Sequence, residues 1–170
     1  MASLMRLFRA EPRTAKPLYD QVVARARQPH WFREGEVPDT VEGRFAMLST
    51  LLALVDLRLE SGGEAARFAS VSLAECFIDD MDAELRQMGT GDPVMSKKVG
   101  SLVGALGGRV GAWRRAVAGE ESWPAVIGRS VYREGRASDE ARDYVERQLR
   151  LFWAALEART DEALVNGTLP

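Results

Sequence analysis

The chain has 170 residues, 46% of them hydrophobic and 28% charged, which is enough for one domain with a sizeable core. A formal net charge of −2 and a pI near 5.6 argue against a nucleic-acid-binding protein that works by neutralising phosphates. Its single cysteine, Cys76, excludes an internal disulfide and is typical of a reducing compartment.

Neither the N-terminal residues nor any internal stretch has the pattern of a membrane or export segment. Residues 1–13 lack the long apolar core and the cleavage site of a signal peptide, and we expect a flexible tail there. The longest weakly charged stretch, residues 99–113, contains Arg109 and is too short to span a bilayer. These patterns predict a soluble, cytoplasmic protein.

Apolar residues recur at helical spacing along the chain, and no segment alternates with period two, which predicts an all-α fold. A first helix is predicted over residues 14–28, where Pro29 stops it. A second helix follows Asp39, which forms a capping-box-like pattern with Glu42. Residues 45–59 of this helix are apolar around most of its circumference, which is typical of a helix at the centre of a core.

Further helices are predicted over residues 64–88, 92–117, 123–133 and from residue 138 onward. Gly89 is the expected C-terminal cap of the third helix, and Asp92 the expected N-cap of the fourth. Short turns between long helices predict a single-domain antiparallel helical bundle of about six helices over residues 14–160. Residues 161–170 are then a C-terminal tail.

The acidic run FIDDMDAELRQMGTGD is the clearest candidate for metal binding or acid–base chemistry. Asp80, Asp82 and Glu84 have the alternating spacing of the first ligands of a calcium loop. The glycine and glutamate that this loop also needs are replaced by Leu85 and Gly91. On a helix, Asp80 and Asp82 point about 200° apart and cannot converge on one ion. The run therefore predicts a solvated acidic face, and no metal site.

Asp80 and Asp82 are expected to differ in exposure. Asp82 lies near the edge of the apolar stripe, so we expect it to be half-buried against Arg86 or Arg44 and to stabilise the fold. Asp80 points away from that stripe, so we expect it to be exposed, to contribute little to stability and to be available to a partner.

The remaining candidates for chemistry are weak. His30 has no second histidine, Cys76 has no histidine nearby, and GALGGR lacks the strand and the glycine spacing of a phosphate loop. Gly100, Gly104 and Gly108 recur every four residues, which in a soluble helix favours close approach of a neighbouring helix. No catalytic residue, cofactor or metal site is predicted.

Three stretches are together distinctive: LYDQVVARARQPHWF, VPDTVEGRFAMLSTLLALVDLRL and DDMDAELRQMGTGDPVMSKKV. They resemble the ubiquinol–cytochrome c chaperone family, the assembly factors of the cytochrome bc1 complex in bacteria and mitochondria. Weaker similarity continues through GGRVGAW and IGRSVY, so the resemblance covers residues 18–155. Two features depart from the family pattern. LSTLLALV lacks the histidine usual in the second helix, and Gln87 replaces an acidic residue.

The resemblance implies a non-enzymatic assembly chaperone that receives newly made cytochrome b and holds it for haem loading and assembly. It implies cytochrome b as the partner, whereas the charge and the residues themselves predict no nucleic acid and no cofactor. We expect a monomer in peripheral contact with the inner membrane at its cytoplasmic face. A holding chaperone needs an apolar groove rimmed by polar groups, which we expect on the second and fourth helices.

The candidate partner-binding residues lie in the motifs that carry the resemblance: Pro38, Asp39, Arg44, Asp80, Asp82, Arg86, Asp92 and Lys98. An alternative is a small helical enzyme that uses Asp80, Asp82 and Arg44 on a phosphorylated or metal-bound substrate. A third is a scaffold that only dimerises through its glycine-rich helix. Carboxylates that converge in a buried pocket would favour the enzyme, whereas dispersed carboxylates beside a continuous apolar surface would favour the chaperone.

Overall fold

The computed structural model describes residues 15–87, 92–133 and 135–170, with the backbone alone described at residue 85 and over residues 92–99. The predicted N-terminal tail and the predicted cap at Gly89 lie outside the described residues. The helices are α1 (Lys16–Ala26), α2 (His30–Arg33), α3 (Val41–Glu60), α4 (Glu64–Gln87), α5 (Asp92–Val117), α6 (Trp123–Ile127), α7 (Asp139–Glu157) and α8 (Asp161–Val165). A π-helical turn, Gly128–Tyr132, continues α6 and is called the π-turn below. The all-α, single-domain prediction is confirmed.

The first predicted helix is shorter than expected and is followed by a second short one. α1 ends at Ala26, and Pro29 precedes α2 instead of leading into a loop. Proline is compatible with a helix start, because its missing N–H would have no helical partner there. Trp31 of α2 is buried, and its indole N–H donates to the Arg25 carbonyl oxygen at 2.9 Å. The buried indole joins α2 to the end of α1.

α3 lies at the centre of the bundle, as its apolar circumference predicts. It packs against α1, α4, α5, α7 and the π-turn. Its N-cap is Thr40, whose Oγ1 accepts from the Gly43 N–H at 3.2 Å, and not the predicted Asp39. The Asp39 carboxylate instead pairs with Arg44 at 2.7 Å. A threonine hydroxyl is a good cap in its own right, so this start needs no capping box.

The fifth predicted helix changes its geometry part of the way along. It is α-helical only to Ile127 and then widens into the π-turn, after which Arg133 has a positive φ of 54°. Tyr132 at the end of the π-turn is buried, and its hydroxyl donates to the Gly35 carbonyl oxygen at 2.6 Å. This bond joins the end of the π-turn to the loop before α3. Ser138, the predicted start of the sixth helix, is the N-cap of α7, and its hydroxyl accepts from the Ala141 N–H at 3.2 Å.

Residues 161–170, predicted as a tail, contain α8, which packs against α4. Leu164 of α8 is fully buried. The Asp161 carboxylate accepts from the Gly63 N–H at 2.7 Å and pairs with Arg58 of α3 at 2.8 Å. Beyond α8, Gly167 has a φ of 81°, and a Cβ placed on it would lie 2.8 Å from the Cβ of Pro17. The C-terminal segment therefore packs onto the start of α1.

Candidate functional site

A groove of about 770 Å³ lies between α1, α3, α4, α5 and the π-turn. Its apolar lining includes Val23, Phe45, Leu48, Met81, Leu102 and Ala105. Val41 stands at its rim and is 71% exposed, an unusual exposure for a valine that begins a central helix. The second and fourth predicted helices correspond to α3 and α5, and both contribute apolar side chains to the groove.

The charged residues that line the groove are more often basic than acidic. Among the described residues that line it, five are arginines and three are acids, whereas the chain as a whole has a net charge of −2. Two of these arginines have partners outside the groove lining, since Arg44 pairs with Asp39 and Arg129 with Glu121. Arg109 and Arg133 have no ion pair in the described part of the chain.

Arg109 on α5 has few of its hydrogen bonds satisfied. Its guanidinium lies over the Phe45 ring, 5.4 Å from the ring centroid, and one terminal N–H donates to the Ser130 carbonyl oxygen at 3.3 Å. Its Nε is buried and has no partner among the described residues. Burial lowers the pKa of Arg109, and the nearby positive charge of Arg133 lowers this pKa further. The Arg109 guanidinium therefore has more N–H donors than it has described hydrogen-bond acceptors.

Asp80 is placed differently from the prediction. It is half-buried at the groove edge, and the Tyr19 hydroxyl of α1 donates to its Oδ2 at 2.7 Å. Burial raises the pKa of Tyr19 well above its usual value, and the bond to Asp80 raises it further. The expected exposure of Asp80 was wrong because α1 packs across this face of α4, a contact that the phase of one helix cannot show.

Asp82 has one of its two predicted partners. It pairs with Arg86 at 2.8 Å along the same helix, with side-chain exposures of 34% and 59%. Arg44, the other predicted partner, is held by Asp39. The Asp82–Arg86 pair therefore joins neighbouring turns of α4.

Of the eight candidate partner-binding residues, the structure brings Arg44 and Asp80 to the groove. Pro38 is half-buried before α3, where a Cβ added at Gly43 would lie 1.9 Å from the Pro38 carbonyl oxygen. Asp92 and Lys98 lie on the backbone of α5, and their side chains fall outside the described residues. A part for any of the eight in partner binding stays a prediction.

The observations do not assemble an enzyme site from the predicted acids. Asp80 lines the groove whereas Asp82 does not, so the two carboxylates do not converge. Within residues 15–84, 86–87, 100–133 and 135–170, no group of three or more His, Cys, Asp or Glu side chains is arranged to hold a metal. Nothing described lies within 4 Å of a Cβ built at Gly100, Gly104 or Gly108, so the close helix approach predicted there is not seen.

Arg109 was missed as a site residue. In the sequence it is a single charge within a glycine-rich, otherwise uncharged stretch of helix, and this isolation is the one signal that could have singled it out. Arg133 and Ser130 carry no such signal, because the π-turn that brings them to the groove depends on contacts distant in sequence.

The comparisons with known proteins agree with the motifs. The family profile described as Ubiquinol-cytochrome C chaperone matches residues 33–169. The crystal structure of the Cbp3 homolog from Brucella abortus is similar to this chain, with a TM-score of 0.81 and 28% sequence identity over 98% of this chain and 94% of that one. Among curated proteins, none matches the sequence closely enough to count as a relative. The chain belongs to the ubiquinol–cytochrome c chaperone family.

Proposed function

We propose that this chain is an assembly chaperone of the cytochrome bc1 complex and that it holds newly made cytochrome b in the groove between α1, α3, α4 and α5. The observation that carries the proposal is this apolar groove with its charged rim, in a chain of the chaperone family. The likeness to the Cbp3 homolog supports the same class of function.

The chemistry of the groove suits an apolar polypeptide segment better than a small reactive substrate. Its lining combines aliphatic and aromatic side chains with arginines, a combination that can bury the apolar face of a helix while its ends stay solvated. The carboxylates at its edge are dispersed, and Asp80 is engaged by Tyr19. A chaperone-family protein is expected to be non-enzymatic, and the dispersed acids favour that role over the enzyme alternative.

The same proposal places the protein at the membrane as a peripheral component. No helix within the described residues is long and apolar enough to cross a membrane. Because the proposed client is a membrane protein, we expect the chain to act at the cytoplasmic face of the inner membrane. One copy can supply every wall of the groove, so we expect a monomer to be sufficient for holding the client.

The test is capture of cytochrome b from solubilised membranes of the native cell, using two valine variants of the tagged full chain. Val41→Asp places a charge at the groove rim, whereas Val71→Asp places the same charge on α4 away from the groove. The two valines are 71% and 60% exposed, so neither substitution should unfold the protein. We expect wild type and Val71→Asp to enrich cytochrome b and Val41→Asp to enrich several-fold less. No enrichment by wild type would refute the client, and equal capture by both variants would refute the groove as its site.

A further inference from the structure

Arg109 is a half-buried cation whose hydrogen-bonding capacity is mostly unused. Arginine has five N–H donors, and the described partners of this one are a single carbonyl oxygen and an aromatic face. A buried donor without an acceptor costs free energy comparable to its lost hydrogen bond. The buried Nε is such a donor. Arg109 lines the groove, so an acceptor bound there can pair with the N–H donors that the Ser130 carbonyl leaves unused.

The electrostatics around Arg109 favour a negatively charged acceptor. Arg133 lines the same groove and is near enough for its charge to act on the Arg109 guanidinium. Three acids also line the groove, yet none forms an ion pair with either arginine among the described residues. Two neighbouring cations in a partly apolar site repel each other, and an anion placed between them would replace that repulsion by attraction.

The backbone beside this pair is unusual in two respects. The π-turn brings the Ser130 carbonyl to Arg109, and Arg133 directly after it has a φ of 54°. π-helical segments occur often at functional sites, and non-glycine residues with positive φ persist only where surrounding contacts hold them. Here the Tyr132 hydroxyl, bonded to the Gly35 carbonyl, holds the segment in place. The backbone next to Arg133 is therefore anchored by a hydrogen bond to the loop before α3.

We propose that Arg109 and Arg133 form a recognition site for one carboxylate, that of an aspartate or glutamate side chain within the apolar segment bound in the groove. A guanidinium can bind a carboxylate through two parallel hydrogen bonds, which fits an acceptor-poor arginine. The site rests on the proposed function, since it names the feature that the groove recognises in its client segment.

A single carboxylate fits the groove better than an anionic lipid surface does. Glu42, Asp80 and Glu84 line the groove, and they would repel an extended layer of phosphate groups. One side-chain carboxylate can reach Arg109 while the apolar residues beside it cover Phe45 and Leu48. An acidic side chain inside an apolar segment is costly in lipid, so a segment not yet packed against its partner subunits gains from such a counter-charge.

The test uses fluorescent fifteen-residue leucine–alanine peptides with a central glutamate, glutamine or lysine, binding to the full chain. We expect the glutamate peptide to bind wild type about tenfold more tightly than the glutamine peptide, and the lysine peptide to bind most weakly. Arg109→Met should abolish the preference for glutamate and leave binding of the glutamine peptide almost unchanged. The control is Arg114→Met on the same helix, since Arg114 pairs with Glu60 outside the groove, and it should keep the full preference.

Thermal melts separate recognition from folding. Replacing a half-buried, unpaired cation by an apolar side chain should not lower stability, so we expect Arg109→Met to melt no lower than wild type. If it does unfold, Arg133→Met supplies the same test of the preference from the exposed member of the pair. Vesicles containing phosphatidylglycerol form the second arm. Arg109-dependent vesicle binding without a peptide preference would overturn the carboxylate in favour of a lipid phosphate.

The outcomes also distinguish this site from the client proposal. Equal binding of glutamate and glutamine peptides to wild type would overturn the carboxylate site, and would do so even if cytochrome b is captured from membranes. A preference for glutamate that depends on Arg109, together with no capture of cytochrome b, would uphold the site and refute the client.

Discussion

Asp56 on α3 and Arg109 on α5 are half-buried charged side chains that form no ion pair with the described residues. Asp56 accepts from the Ser70 hydroxyl at 2.5 Å, and burial raises its pKa. Arg109 lies in a groove that is open to solvent, whereas Asp56 lies between two packed helices, where it is already hydrogen-bonded. Arg109 is therefore placed to meet a ligand, whereas the burial of Asp56 lowers stability and serves no site described here.

Asp56→Asn should raise the melting temperature at neutral pH. A folded-state pKa above the unfolded value means that the native protein binds the proton more tightly, so ionised Asp56 reduces stability above this pKa. Asparagine keeps an oxygen for Ser70 and carries no charge. We expect the variant's advantage to be largest near pH 7 and to shrink as the pH falls through the acid range, where Asp56 is protonated in wild type. Thermal melts of both proteins across that range check the prediction, and an advantage independent of pH would contradict it.

Replacing Asp80 should destabilise the protein more than replacing Asp82, which is the opposite of the order predicted from the sequence. Asp80→Ala leaves the hydroxyl of the buried Tyr19 without its acceptor, a loss of about 1 kcal/mol. Asp82→Ala breaks only a surface pair along α4, a loss of about 0.5 kcal/mol or less. Denaturant unfolding of the two variants and of Tyr19→Phe provides the comparison. If the stability loss in each variant comes from the Asp80–Tyr19 hydrogen bond, the double variant Asp80→Ala/Tyr19→Phe should be little less stable than either single variant. Additive losses would show that the bond contributes nothing.

At the scale of the elements, the long helices followed from apolar periodicity, since α3, α4, α5 and α7 begin or end within a residue or two of their predicted bounds. Three of the short elements, α2, α8 and the π-turn, did not. In each of these three elements one large side chain is buried in the core: Trp31 in α2, Leu164 in α8 and Tyr132 in the π-turn. A segment of five residues is too short for periodicity to distinguish a packed helix from a loop.

Leu164→Ala should destabilise the protein by about 3 kcal/mol, although the sequence indicates a tail at this position. The reason is that the side chain is fully buried where α8 packs on α4, so truncation leaves a cavity. Val165→Ala is the matched control, because Val165 is only half-buried on the same helix and should cost less than about 1 kcal/mol. Equal small losses for both variants would show that α8 does not contribute to the cooperative fold.

At the scale of the whole molecule, the sequence was sufficient for the family and the bundle but not for the groove. The groove exists because α1, α3, α4, α5 and the π-turn leave a gap where they meet, and its shape depends on how five elements pack. The arginine-rich lining was likewise hidden, since the net charge of −2 averages over surfaces of opposite sign. Asp80 was misplaced for the same reason: its environment comes from α1, sixty-one residues earlier.

The contact of Gly167 with Pro17 places the C-terminal end of the described fold next to its N-terminal end. The described fold could therefore be circularly permuted, with a flexible linker joining residue 170 to residue 15 and new ends opened between Gly119 and Glu120, which are both exposed. We expect this permutant to fold and to melt close to wild type. A permutant opened between Gly62 and Gly63 should melt lower, because it loosens the backbone N–H that the Asp161 carboxylate holds. The order of helices in space, and not their order along the chain, would then be what specifies this protein.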